Sequence, residues 1–203
     1  IYESVYFFSK YQDSIIEQER LKRANIRSEL DTLRNQVNPH FLFNSLNTLA
    51  SIIPEDPKLA IEFVQKLSKA YRNILEIRNE KMIPLKRELD TLKSYIFLLE
   101  LRFRDKLNIS INIEDANSDY VIPLTLQILI ENAVKHNIVS ASKPLQISID
   151  MDQDYVLVRN NLQRKNQNTS STKVGLQNIK ERYSLLTNQE VFIEETTDEF
   201  IVK

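Results

Sequence analysis

The sequence predicts a multidomain α+β protein, with a helical N-terminal part and a C-terminal part that mixes helices and strands. Its 203 residues are enough for two small domains. Apolar residues recur at helical spacing from Ile15 to Ile77, which is typical of amphipathic helices. Strict apolar and polar alternation at residues 107–113 indicates a strand, and helices and strands then follow without regular βαβ spacing. We therefore expect a sheet that carries its helices on one face.

The first predicted element is a coiled coil, and residues 1–35 are interpreted as a coiled-coil signalling linker. The charged stretch from Ile15 to His40 accepts a heptad register with apolar residues at most seam positions. Pro39 falls inside this helical pattern and removes one backbone hydrogen bond, so we expect a kink beside His40. The register places Ile16, Arg23, Leu30 and Val37 at a, with Glu19, Ile26, Leu33 and His40 at d.

Residues 36–82 are predicted to form a helical hairpin. Apolar periodicity runs from Phe41 to Ile53, turn residues follow at Pro54 to Pro57, and a second amphipathic helix covers Leu59 to Ile77. One hairpin cannot bury both apolar stripes well, whereas two hairpins from two chains can bury them in a four-helix bundle. The sequence therefore predicts a homodimer.

Residues 83–203 are predicted to form the mixed domain. Polar residues dominate the stretch from Asn160 to Thr172, which is interpreted as a flexible loop or lid. The predicted helices cover Leu85 to Arg104, Ile122 to Ile138 and Val174 to Leu186. The predicted strands cover Leu107 to Ile113, Leu145 to Ile149, Tyr155 to Val158, Val191 to Ile193 and Phe200 to Val202.

The amino-acid composition excludes several kinds of functional site. Gly175 is the single glycine, whereas the phosphate loops of P-loop proteins, dinucleotide-binding folds and protein kinases each need at least two. The sequence has no cysteine, which excludes thiolate zinc sites and a cysteine nucleophile. Its formal net charge of −1 gives no electrostatic reason to expect nucleic acid as a direct partner.

The two histidines lie in two dense polar clusters, and the first cluster contains His40. On a helix, His40 and Asn44 are four residues apart and share a face, so the Asn44 amide can orient the imidazole while its second nitrogen stays free. A neutral imidazole held in this way is a competent nucleophile toward phosphorus. The same spacing fits a simpler role, in which His40 fills the seam of a helical bundle.

The second cluster surrounds His136, at the end of the apolar helix that begins near Pro123. Asn132, Lys135 and His136 project to one side of this helix and offer an amide oxygen, a cation and an imidazole. This set suits a magnesium-bound polyphosphate, because Mg²⁺ bridges phosphates and keeps several waters, so that one protein oxygen suffices. A helix end with ordinary solvated side chains is the alternative interpretation.

Three segments resemble the motifs of one protein family. QVNPHFLFNSLN at Gln36 to Asn47 closely resembles the phosphoacceptor motif of LytS/YehU-type bacterial sensor histidine kinases. ENAVKHN at Glu131 to Asn137 resembles their N box, and GLQNIKERY at Gly175 to Tyr183 resembles their second glycine box. The motifs occur in the family order, and the resemblance covers nearly the whole chain, from about Ile15 to Lys203.

The resemblance implies that residues 36–82 are both dimerisation and phosphoacceptor domain, and that residues 83–203 are a GHKL-type ATPase domain, an α/β sandwich. By this resemblance, His40 takes the γ-phosphoryl group of ATP and passes it to an aspartate of a response regulator, often one with a LytTR DNA-binding domain. We also expect the chain to be the cytoplasmic domain of a bacterial inner-membrane protein, anchored through an N-terminal sensor region that this sequence lacks.

The same matching implies how the nucleotide is held. Asn132 would ligand Mg²⁺, and Lys135 and His136 would contact phosphate or ribose. Gly175 and Leu176 would lie beside the triphosphate at a helix N-terminus, where backbone N–H groups favour anions.

The sequence departs from the family pattern in its first glycine box. Relatives usually carry Asp-Asn-Gly, with the Asp accepting a hydrogen bond from the adenine amino group, whereas Asn160, Asn161 and Leu162 align here. The Asn160 amide oxygen can accept the same bond without charge assistance, and Leu162 lacks the backbone freedom of glycine. Three functions therefore stay open: an active kinase, a pseudokinase or non-catalytic dimeric scaffold, and an ATP-hydrolysing enzyme with Glu131 as its base.

Overall fold

The computed structural model describes residues 39–77, 80–114, 116, 119–153, 155–165, 172–187 and 189–203. The predicted coiled-coil linker, residues 1–35, lies outside these ranges, and the kink beside His40 stays a prediction because the described helix begins at Pro39. The chain divides into two compact units, Ile1–Leu46 and Asn47–Lys203. The predicted domain boundaries after residues 35 and 82 stay predictions. Within the described ranges, no helix is long and apolar enough to cross a membrane.

Two helices occupy the region predicted as a hairpin. Helix α1 spans Pro39–Ile52 and helix α2 spans Pro57–Ile77. The Asp56 carboxylate accepts hydrogen bonds from the backbone N–H groups of Lys58 and Leu59, both at 3.0 Å, and this N-cap explains why α2 begins here. One face of α2 packs against helix α3, Leu85–Phe103. The buried residues of α2 are Ala60, Phe63, Leu67, Ala70 and Ile77.

A five-stranded mixed sheet forms the centre of the following part, with the spatial order β2-β4-β5-β7-β6. Strands β2 and β4 are parallel, and all other neighbours in this sheet are antiparallel. A separate antiparallel pair joins β1 and β3. The strands are β1 (Ile83–Pro84), β2 (Leu107–Asn112), β3 (Tyr120–Val121), β4 (Leu145–Asp152), β5 (Tyr155–Asn161), β6 (Ile193–Glu195) and β7 (Glu199–Val202).

Helices cover one face of this sheet, which confirms the predicted fold class. Helix α4, Thr125–His136, crosses over between the parallel strands and packs against β4 and β5. Helix α5, Thr172–Leu186, packs beside α4. On β4, the buried residues Leu145, Ile147 and Ile149 alternate with more exposed polar ones, so the apolar side of the strand faces the helices.

Several elements begin one to three residues away from the start that the sequence predicts, and α4 and β6 are two of them. Helix α4 begins at Thr125 rather than Ile122, because the chain turns at Pro123 and Leu124, where Leu124 has a left-handed φ of 66°. Strand β6 begins at Ile193 rather than Val191. All of these shifts are small and leave the order of elements unchanged.

The prediction of a flexible loop from Asn160 was wrong at its start. Asn160 and Asn161 belong to strand β5 and pair with Phe200 and Glu199 of β7. Asparagine is depleted in strands, so the local sequence argues against this assignment, and the pairing partners override it. The first residues of the predicted loop are therefore fixed in the sheet.

Candidate functional site

The centre of the candidate site is a contact between α4 and α5. Asn132 lies one turn before the end of α4, and Gly175 lies in the first turn of α5. A Cβ added to Gly175 would lie 3.3 Å from Asn132 Nδ2 and 3.4 Å from Asn132 Oδ1. The φ of Gly175 is not positive, so this position requires glycine for space rather than for backbone conformation.

Two buried nitrogen atoms in this part of α4 have no hydrogen-bond partner among the described residues. They are Asn132 Nδ2 and His136 Nε2, which lie one helical turn apart on the same face. Buried polar atoms are paired in the great majority of cases, so such a pair indicates a place that a polar ligand or water completes. Both residues were predicted from the sequence as nucleotide contacts.

Positive charge surrounds this end of α4. Burial lowers the pKa of His136, and the charges of Lys135 and Lys165 lower it further, so the imidazole is mostly neutral at pH 7. Burial also lowers the pKa of Lys165, with a contribution from Arg102. In the described part of the chain, no carboxylate forms an ion pair with Lys135, Lys165 or Arg102. An anionic ligand is therefore favoured here.

The segment after β5 is anchored to the C-terminal end of α4. The Gln163 backbone N–H donates to Asn137 Oδ1 at 2.9 Å. Lys165 Nζ donates to the carbonyl oxygens of Val134 at 3.1 Å and Lys135 at 3.0 Å, where the helix dipole favours a cation. Sequence reasoning did not single out Lys165, since a single lysine in a polar stretch carries no local signal. Residues 166–171 of the predicted lid lie outside the described ranges, and its last residue, Thr172, belongs to helix α5.

Asn160, the predicted adenine contact, is buried in β5 and pairs with the buried Ile147 of β4. Its Nδ2 donates to the backbone oxygen of Asn161 at 2.8 Å. This bond occupies the donor end of the amide, so the side-chain oxygen is the atom left to accept a hydrogen bond. The predicted role requires an acceptor at this position, and the amide orientation fits it.

Magnesium also fits this site through the chemistry of its donors. No group of three His, Cys, Asp or Glu side chains that could hold a metal ion occurs in the described ranges. Mg²⁺ does not need such a group when it is bound to phosphates, because phosphate oxygens and waters supply most of its ligands. The Asn132 amide, whose nitrogen has no hydrogen-bond partner among the described residues, could supply one neutral oxygen ligand.

His40 and Asn44 lie on α1, in the part of the chain that precedes the second unit. His40 is exposed, and Asn44, one turn later, is half-buried. Phe41 and Ser45, which follow these two residues directly, are buried. The helix thus presents the imidazole to solvent.

Comparisons with known proteins agree on one family. Residues 28–107 match the family model described as histidine kinase. The chain is 36% identical over 134 residues to the sensor protein LytS of Oceanobacillus iheyensis, and 36% identical over 120 residues to the sensor histidine kinase YpdA of Escherichia coli. It is 32% identical over 151 residues to the sensor histidine kinase/phosphatase LytS of Staphylococcus aureus. These similarities support a LytS-type sensor histidine kinase.

The three alignments with LytS-type kinases cover 65%, 59% and 73% of this chain, in the same order. They cover 23%, 21% and 26% of the relatives, so the chain spans about a quarter of the length of these proteins. The family resemblance inferred from the three motifs is confirmed.

Glu131 on α4 is engaged by neighbouring side chains. Gln127 Nε2 donates to Glu131 Oε1 at 3.1 Å, and the Tyr95 side chain hydrogen-bonds to the same carboxylate. Burial and this carboxylate hold the pKa of Tyr95 well above its usual value, so Tyr95 stays a phenol that donates. Glu131 therefore links α4 to α3, an arrangement that does not favour the hydrolase in which it acts as a base for water.

Sequence reasoning missed Glu88, a buried carboxyl on α3. The sequence did indicate that Glu88 is buried, because Leu85 and Leu92 lie three residues before and four residues after it, on the apolar face of the helix. An acidic residue at such a position is buried when the helix packs, and Glu88 is 2% exposed. What it binds depends on residues far away in the sequence.

Proposed function

We propose that this chain is the catalytic core of a sensor histidine kinase. It binds Mg-ATP between α4 and α5, transfers the γ-phosphoryl group to His40, and passes it to an aspartate of a response regulator. The observation that carries the proposal is the contact of Gly175 with Asn132, beside two unpartnered buried nitrogen atoms. This contact joins residues of two family motifs, and a bound nucleotide would supply hydrogen-bond partners for the two nitrogen atoms beside it.

Each part of the nucleotide has a partner of suitable chemistry in this proposal. The Asn160 oxygen accepts a hydrogen bond from the adenine amino group, as the orientation of its amide allows. Lys135 and His136 contact the phosphates or the ribose. Gly175 lies in the first turn of α5 and Leu176 follows it, close to the positive end of the helix dipole, which favours an anion.

Asn132 is the proposed magnesium ligand. When bound, the ion neutralises part of the negative charge of the polyphosphate. The protein residues then position the γ-phosphate and exclude competing ligands, which is most of what phosphoryl transfer requires from a protein.

His40 is the proposed phosphoacceptor, and Asn44 orients its ring. A nitrogen of the neutral imidazole forms a bond to the γ-phosphorus, the bond between this phosphorus and the bridging oxygen breaks, and ADP leaves. The N–P bond then breaks when an aspartate oxygen of the regulator takes the phosphoryl group. The exposure of His40 on α1 supports both steps, since two different partners must reach the same ring.

We further propose that the chain acts as a homodimer within a membrane-anchored parent protein, with a regulator that can be of the LytTR type. Both predicted hairpin helices expose large apolar side chains, which suits a four-helix bundle between two chains. On α1 they are Phe43 and Leu46, with exposures of 67% and 47%, and Ile53, directly after the helix, is 53% exposed. On α2 they are Ile61, Val64 and Leu75, with exposures of 60%, 44% and 50%.

Labelling with γ-labelled ATP tests the proposed function. We expect the chain to incorporate label in the presence of Mg²⁺, and the label to be lost in acid but kept in base, as phosphohistidine requires. His40→Gln abolishes labelling, and light scattering on this variant checks that it remains folded and dimeric. Undiminished labelling of His40→Gln contradicts the assignment. Tight Mg-ATP binding without any label indicates a non-catalytic scaffold instead.

A further inference from the structure

The start of helix α4 is held by a side chain from another helix. Glu88 Oε2 accepts a hydrogen bond from the Leu124 backbone N–H at 3.0 Å, and Glu88 Oε1 accepts one from the Leu126 N–H at 3.1 Å. The first N–H groups of a helix have no intrahelical partner, and a neighbouring side chain usually caps them. Here the cap residue is Leu124, which has no polar side chain, and Glu88 of α3 takes this role.

Helix α5 holds the same turn from a second side. Arg182 Nη1 donates to the Pro123 carbonyl oxygen at 3.3 Å, and the Ile122 N–H donates to the Tyr183 hydroxyl at 3.4 Å. Arg182 and Tyr183 are also the titratable groups of α5 whose charges interact with Glu88. On the side of α4, the Glu88 carboxylate faces the backbone N–H groups of Leu124 and Leu126. The turn before α4 is therefore fixed between α3 and α5.

This turn is connected to the candidate nucleotide site through two rigid elements. Helix α4 has 12 residues and carries Asn132, and α5 carries Gly175 at its other end. Asn132 lies seven residues after Thr125, a distance of roughly 10 Å along a helix. A tilt of α4 at its start therefore displaces the Asn132 amide, which meets Gly175 with no spare room.

We propose that Glu88 is a positioning residue for nucleotide binding, whose ionised carboxylate fixes the N-terminus of α4 so that Asn132 and Gly175 meet the nucleotide correctly. This inference rests on the proposed binding of Mg-ATP. Both carboxylate oxygens are needed, because each accepts a different backbone N–H. A glutamine offers one acceptor only and turns its amide N–H groups toward the second donor.

The buried surroundings of Glu88 disfavour its ionised form. Burial raises the pKa of Glu88 to about 7, although the bonds from Leu124 and Leu126 and the charge of Arg182 lower it. Protonation turns one carboxylate oxygen into a hydroxyl, which is a weaker hydrogen-bond acceptor. The cap on α4 is therefore weakened when the pH falls below about 7. If Glu88 had a merely structural role, a neutral residue in its place would leave nucleotide binding unchanged. The proposed role requires the negative charge.

Calorimetric titration with a non-hydrolysable magnesium–ATP analogue, at pH 6 and pH 8, tests the inference. At pH 8 we expect Glu88→Gln to bind roughly tenfold more weakly than the parent chain, the effect of one lost charge-assisted hydrogen bond. At pH 6 we expect the two affinities to agree within about twofold. His136, beside Lys135 and Lys165, titrates equally in both proteins, so its contribution cancels in their ratio. Glu100→Gln, an exposed change on α3, is the matched control and keeps the parent affinity at both pH values.

The outcomes separate the two proposals. A ratio near one at pH 8, or a tenfold ratio at both pH values, overturns the role of Glu88 alone. Failure of the parent chain to bind at pH 8 overturns the proposed function, and this inference with it. If Glu88→Gln does not fold, Arg182→Gln provides the second measurement, because loss of this charge raises the pKa of Glu88. The midpoint of the pH dependence of binding then moves upward, and an unmoved midpoint counts against the proposal.

Discussion

Gly175 lies against the Asn132 amide so closely that a Cβ at residue 175 would stand 3.3 Å from Asn132 Nδ2. The two residues belong to different sequence motifs and to different helices, α5 and α4. The single glycine of the chain therefore lies where any larger residue would crowd the Asn132 amide. The first prediction follows directly from this geometry.

Gly175→Ala is expected to weaken Mg-ATP binding while leaving the fold stable. The added methyl group forces the Asn132 amide to move by a few tenths of an ångström, which we expect to cost about 1 kcal/mol of binding, or roughly fivefold. Alanine favours helix by up to about 1 kcal/mol over glycine, so the free energy of unfolding should not fall. Calorimetry and urea unfolding measure the two effects. Ser184→Ala, an exposed change on α5, is the control, and equal affinities for both variants contradict the prediction.

Asn132→Ala is expected to remove most of the magnesium dependence of ATP binding. Because Asn132 is the proposed protein ligand of the ion, its loss should lower the affinity for Mg-ATP by about tenfold or more, with little change for ATP in EDTA. The ratio of the two affinities is the decisive quantity. Asn108→Ala on β2, where the residue is exposed, should leave this ratio unchanged. An unchanged ratio in the Asn132 variant argues against its role as a metal ligand.

The double variant Ile61→Lys, Val64→Lys is expected to convert the proposed homodimer into a monomer. Both side chains lie on the exposed face of α2, and burying a lysine charge in an apolar interface without a partner costs several kcal/mol. Sedimentation or light scattering at micromolar concentration gives the mass. Leu185→Lys is the matched control, since Leu185 is 82% exposed on α5, outside the predicted hairpin. A dimer that survives the double variant places the interface elsewhere.

Glu88 is expected to make the free energy of unfolding depend on pH. Its pKa is raised from 4.5 to about 7 in the folded chain, so between these values the folded state keeps a proton that the unfolded state releases. The stability due to the protonated form is therefore fully present below pH 4.5 and is lost as the pH rises to 7, by roughly 3 kcal/mol in total.

Urea unfolding of the parent chain and Glu88→Gln, over pH 5 to 8, measures this effect. We expect the stability of the parent to fall relative to the variant as the pH rises, and a difference that does not change with pH contradicts the raised pKa. Together with the binding experiment, the result distinguishes stability from positioning. At pH 8 the carboxylate costs folding free energy while it supports nucleotide binding, as residues at functional sites often do.

The sequence determined the local features of this protein. Spacing of three and four residues places His40 with Asn44, and Asn132 with His136, on shared helix faces, because helical geometry depends only on near neighbours. The motifs that surround them were sufficient to indicate the kinase family. The helices α1, α2 and α3, and the strands β2, β4 and β5, follow from apolar periodicity in the same way.

Only the tertiary structure decided how these features meet. The approach of Gly175 to Asn132, the strand pairing of Asn160 and the cap that Glu88 provides to α4 each join residues from distant segments. Local propensity argued against a strand at Asn160 and gave no partner for Glu88. Such contacts depend on how whole elements pack together to bury their apolar faces, and this arrangement is a property of the folded chain rather than of any short stretch of it.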